Sequence, residues 1–169
     1  MPERARDRYF DTVTLSNFAL VHRLDLLTAR YGRRLRITQE VLDEISDGLA
    51  AGFAVLGEIE AAVHAGTFRV AGALTSAERR TFQDLLHALA PGESSCVACA
   101  QARGGVVVTD DRVARERCAE QGVPFTGTIG ILKACCRSGA LAPPEADAVL
   151  RVMTDAGYHS PVRRISDLL

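Results

Sequence analysis

Apolar residues recur along the chain in two rhythms, short β-branched or aliphatic runs and longer stretches spaced three and four apart. The first rhythm predicts strands and the second helices. A strand is expected from about Asp7 to Thr12, followed by a helix from about Thr14 to Tyr31, in which Leu15, Phe18, Leu24 and Leu27 recur near helical spacing. "RRLRIT" offers a second strand, and Thr38 is placed to cap "QEVLDEISDGL", because a Thr hydroxyl can accept from an otherwise unpaired first-turn N–H. Val41, Leu42, Ile45 and Leu49 form the apolar stripe of that helix; Glu44 falls on its flank and Asp43 points away.

Farther along, Gly52 to Pro91 reads as a helix near Val55 to His64, an extended "TFRVAG", and a helix capped by Thr75 or Ser76. Pro91 and the pair Gly104 and Gly105 bound the next helix. "GGVVVTDDRVARE" then places a valine strand against two adjacent carboxylates, Asp110 and Asp111. A helix from about Arg112 to Gln121, the short strand "VPFT", a helix ended by Gly139, a helix opened by two prolines and a last short helix in "SPVRRISDLL" complete the chain. Alternation of short strands with helices predicts a parallel sheet covered on both faces, an α/β fold.

A chain of 169 residues fits a single domain with one core, here 1–169, with 52–91 as a helical insert and 143–169 as a helical tail. The formal net charge of −1 provides no global attraction to a polyanion, so any such binding must come from a local cluster. Arginine clusters do occur: Arg30, Arg33, Arg34 and Arg36; Arg112, Arg115 and Arg117; and Arg163 with Arg164. The amino end is charged, with no apolar signal segment, and no stretch approaches the length of a membrane span. A cytoplasmic protein is expected, with its five cysteines as reduced thiols.

Chemistry concentrates in acids. Asp11 ends the first strand, Glu44 lies on a helix flank, Glu93 occupies a first helical turn, and Asp110 with Asp111 follows the valine strand. Carboxyl ends of parallel strands share one edge, where such sheets bind ligands. Clustered carboxylates repel and raise one another's pKa values unless a cation neutralises them, and oxygen-only ligands suit Mg²⁺ or Mn²⁺. Each acid also has an ordinary structural role available, as a helix cap or a dipole-compensating first-turn charge.

The ordered set "YFDTVTLSNFALVHRLDLL", "ITQEVLDEI", "GESSCVACA", "VVVTDDRVAR", "RCAEQGVPFTGTIGILKACCRSGAL" and "AGYHSPVRRISDLL" resembles the PIN-domain nucleases, and more closely their VapC-like toxin branch. The resemblance implies a three-layer α/β/α fold with a central parallel sheet of four to five strands. It also implies a Mg²⁺- or Mn²⁺-dependent endoribonuclease that hydrolyses RNA phosphodiester bonds. Asp11, Glu44, Glu93 and the pair Asp110 and Asp111 match the family's catalytic acids, with Asp11, Glu93, Asp110 and Asp111 as metal ligands. Thr12 and Thr109 match hydroxyl positions beside the acids, and Arg112 and Arg115 follow them as candidate phosphate contacts. A small antitoxin protein and a homodimer are the implied partners. The departure from the family pattern is 52–91, longer than in the compact toxins.

Other readings compete. A PIN-like domain with a degenerate pocket would act only as a binding module. Cys96-x-x-Cys99 with Cys135 and Cys136 could hold zinc, but adjacent cysteines on a helix point about 100° apart, poor for one tetrahedron. Nucleotide binding of the Rossmann kind lacks its glycine fingerprint around Gly127 and Gly130, and His22, His64, His87 and His159 form no evident catalytic set. The apolar face of Ala146, Val149, Leu150 and Met153 serves the core or an interface.

Overall fold

Val106, Val107 and Val108 are all buried, as are Arg8, Tyr9 and Phe10 of the neighbouring strand. Successive residues of a strand point to opposite faces, so both faces at the centre of the sheet are covered. In this computed structural model, which describes residues 5–169, the sheet contains five strands: β1 (Arg8–Phe10), β2 (Leu35–Ile37), β3 (Arg69–Val70), β4 (Val106–Val108) and β5 (Phe125–Thr126). They are ordered β3-β2-β1-β4-β5, and every pairing is parallel. The helices are α1 (Thr12–Leu20), α2 (Leu24–Tyr31), α3 (Gln39–Ala50), α4 (Leu56–His64), α5 (Ser76–Leu85), α6 (Pro91–Arg103), α7 (Arg112–Glu120), α8 (Thr128–Arg137) and α9 (Pro143–Asp155). The expected α/β/α architecture is present.

The cover is specific. Helix α6 lies against β1 and β4 and packs on α3 and α5, whereas α2 meets β2 and α8 meets β5 and α9. Ser94 to Ala100 of α6 are buried without a break, so α6 is surrounded by protein. Cys96 and Cys99 sit there, with the Cys96 thiol donating to the Phe10 carbonyl at 3.4 Å. Burial pushes the Cys99 thiol up to about 12 and the Cys118 thiol up to about 11.

Several expected boundaries shift. The helix expected over Thr14 to Tyr31 is two helices: α1 starts at Thr12, with only Asp11 between it and the shortened β1, and the chain breaks at His22, whose φ is +54°. Arg23 N–H and His22 N–H close the α1 end onto the carbonyls of Phe18 and Ala19. The stretch 52–91 supplies α4, β3 and α5, so it extends the sheet by an edge strand next to β2. Thr75, rather than Ser76, caps α5, with Glu78 returning a bond to the Thr75 N–H. The last turn of the chain is a 3₁₀ segment, Ser166–Leu168. Among the described residues no helix is long and apolar enough to cross a membrane.

Candidate active site

The register of the two central strands sets the site. Phe10 lies opposite Val108, and the Asp11 N–H donates to the Val108 carbonyl at 3.0 Å. The residues following β1 and β4 are therefore level, and the Thr109 hydroxyl donates to Asp11 Oδ2 at 2.6 Å. Asp11 Oδ1 accepts the Thr14 N–H at 2.7 Å, capping α1. Asp11 as a whole is 2 % exposed. Burial pushes its carboxyl up to about 6, against the opposing pull of the Thr109 and Thr14 hydrogen bonds and with a contribution from the Asp110 charge.

Glu93 enters from the first turn of α6, where its carboxylate accepts the Ala90 N–H at 3.4 Å. Burial, and then the charges of Asp111 and Asp11, push it up to about 7. Asp111 caps α7 by accepting the Ala114 N–H at 2.7 Å, and its own N–H donates to the Thr109 hydroxyl at 3.1 Å. Asp110 turns toward the start of α8: it accepts the Thr128 N–H at 2.9 Å and the Thr128 hydroxyl, and it lies 3.4 Å from Arg115 Nη2 and from Asn17 Nδ2. Asp11, Glu93, Asp110 and Asp111 line one pocket of about 280 Å³ at the carboxyl edge of the sheet.

Glu44 belongs to the frame of this pocket instead of its lining. Its carboxylate accepts the Gly92 N–H at 2.8 Å and the Thr12 hydroxyl at 2.5 Å, tying the starts of α1 and α6 to α3. A Cβ at Gly92 would stand 2.5 Å from the Glu44 carboxylate, so a side chain there would have to displace Glu44. Thr38, which caps α3 as expected, also shares a 2.7 Å bond with Ser95 of α6. The two arginines differ. Arg115 donates to the Thr109 carbonyl at 2.9 Å and faces Asp110, whereas Arg112 is on the solvent side of α7, paired with Glu116 at 2.6 Å.

Three neighbours escaped the sequence reading. Asn17 is a buried polar residue among the apolar positions of α1, bonded to Thr128 Oγ1 at 3.2 Å. That polar interruption of an apolar face was the available signal. Tyr158 and His159, in the turn after α9, close the pocket beside Asp110; burial and the Asp110 charge push the Tyr158 phenol up to about 12. The stretch "AGYHS" shares the family resemblance, but only the docking of α9 brings these two side chains to the sheet edge.

Among the described residues, no three His, Cys, Asp or Glu groups stand in an arrangement that could hold a metal ion. The donor chemistry nevertheless fits a hard cation: the pocket offers carboxylate oxygens, and the proton affinity of Glu93 is raised first by burial and then by its acidic neighbours, a repulsion that a divalent ion relieves.

No curated protein matches the chain significantly. A family model described as a PIN domain matches residues 8–169. That span takes in all five strands and every acid of the pocket, and the chain belongs to the PIN-domain family.

Proposed function

We propose that this protein is a Mg²⁺- or Mn²⁺-dependent endoribonuclease whose reaction takes place in the acidic pocket. PIN domains are nuclease-type proteins. The observation that carries the finer reading is the convergence of Asp11, Glu93, Asp110 and Asp111 on one pocket, with Asp11 buried and Glu93 raised to about 7. These four acids would hold the ion. When bound, a divalent ion supplies charge stabilisation to a phosphodiester and makes water easier to deprotonate.

The chain's own residues divide the remaining work. Glu93, presented by the first turn of α6 beside Asp11 and Asp111, is a ligand that can also position the attacking water. Thr109 orients Asp11, Thr12 and Glu44 fix the α6 start that presents Glu93, and Thr128 with Asn17 holds Asp110. Arg115 sits between Asp110 and the Thr109 carbonyl, where a guanidinium can share its donors with a phosphate. Arg112 contributes less, through a solvent-exposed pair with Glu116 that a phosphate can replace. The resemblance to the VapC-like branch extends the reading to a toxin, a small antitoxin partner and a homodimer, and the charged amino end to a cytoplasmic location.

One observation favours a second reading, a PIN-like binding module without catalysis: among the described residues, no three acids are already arranged as metal ligands. Incubation of a total RNA pool with wild type and with Asp11→Asn, in Mg²⁺ and in chelator, separates the two. Cleavage that needs both Mg²⁺ and Asp11 supports the nuclease; RNA binding that is indifferent to both, without cleavage, supports the module.

A further inference from the structure

Opposite the acids, at the amino edge of the sheet, lies a second pocket of about 390 Å³, whose polar lining is Arg6, Arg8, Arg30, Arg34, Tyr31 and Ser138. Arg8 opens β1 and Asp11 follows its end, so at ~3.3 Å per residue the two pockets are separated by about 10 Å along the strand. The arginines come from four places: the segment before β1, β1 itself, the last turn of α2, and the 3₁₀ turn Gly32–Arg34. The fold, rather than any one sequence cluster, assembles them. No carboxylate lines this pocket among the described residues.

The guanidiniums of Arg30 and Arg34 are held mostly by neutral groups. Arg30 donates to the Ala134 carbonyl at 3.3 Å and its guanidinium lies 5.5 Å from the Tyr31 ring centre; Arg34 donates to the Ala5 carbonyl. Arg8 is buried, packs its own guanidinium over Tyr31 and donates to the Arg6 carbonyl. Asp7 is 4.0 Å from Arg34 but 3.1 Å from Arg36, its closer partner. The carboxyl ends of α2 and α8, with Arg30 and Ser138 beside them, offset some of the repulsion through their dipoles. Neither end carries the full negative charge that would balance Arg30 and Arg34.

We propose that this pocket is an anion site for a phosphate group. Exposed Arg30 and Arg34 present the fork donors that match phosphate oxygens, with Arg6 alongside. The Tyr31 ring has arginines over it and is not open for base stacking, so recognition rests on the phosphate. That chemistry is shared by a free nucleotide and by the backbone of an RNA strand. The site is independent of cleavage in the acidic pocket.

The test titrates inorganic pyrophosphate, and separately a single-stranded RNA of about ten nucleotides, into the full chain in chelator, where metal-dependent cleavage is silent. Wild type is compared with Arg30→Ala/Arg34→Ala and with the single charge reversal Arg34→Glu, each checked by its melting curve. Saturable binding that weakens by about tenfold or more in both variants, and falls with added salt, is expected. Loss confined to pyrophosphate assigns the site to a free nucleotide phosphate, and loss that includes RNA assigns it to a strand. Absence of binding of either probe by wild type, or equal binding by folded variants, overturns the proposal.

Discussion

Asp11 caps α1 and lines the acidic pocket with the same carboxylate, so its two roles oppose each other in pH dependence. A buried acid raised from 3.8 to about 6 holds its proton in the folded state over a window where the unfolded chain has released it. Its contribution to stability is therefore greatest near pH 4 and is lost as pH rises toward 6. Asn preserves the cap acceptor and removes the charge. Asp11→Asn should raise stability at pH 7.5 by up to about 3 kcal/mol in metal-free buffer, with the gain vanishing near pH 4, as read from urea denaturation at both pH values. A variant less stable than wild type at pH 7.5 contradicts this account of the Asp11 environment. Tyr158→Phe removes the phenol that stands by Asp110; under the proposed function it should lower RNA cleavage about tenfold and alter the pH–rate profile, with a change in stability within about 1 kcal/mol.

Elements were legible where a local signal decided them. The caps at Thr38 and Thr75, proline openings at Pro91 and Pro143, and the left-handed ends at Gly104 and Gly139 all mark real boundaries. The break between α1 and α2 was not legible, because His22 takes a positive φ with no glycine or proline nearby to announce it. Nor did the sequence separate Asp110 from Asp111: both line the pocket, and only the structure shows Asp111 capping α7 while Asp110 is tied to α8. The element that carries Glu93 depends on a close approach at Gly92. Gly92→Ala would drive a Cβ into the Glu44 carboxylate; a loss of about 1–3 kcal/mol in denaturant unfolding is expected, together with weaker RNA cleavage as Glu93 shifts.

At the scale of the whole molecule, a net charge of −1 conceals a polar arrangement, with carboxylates at one edge of the sheet and arginines at the other. Composition cannot reveal this, because strand order and register decide which residues become neighbours. The order of the acids along the chain was enough to point to the carboxyl edge, whereas Asn17 and the Tyr158 turn reach it only through tertiary packing. Under the proposed function the acids form one divalent-cation pocket, which calorimetric titration of Mn²⁺ probes without any need for a substrate. Wild type is compared with Asp11→Asn/Asp111→Asn, whose asparagines keep both helix caps. Saturable Mn²⁺ binding by wild type, at least about tenfold weaker in the folded double variant, is the predicted result. Equal binding by both proteins, or none by wild type, would contradict it.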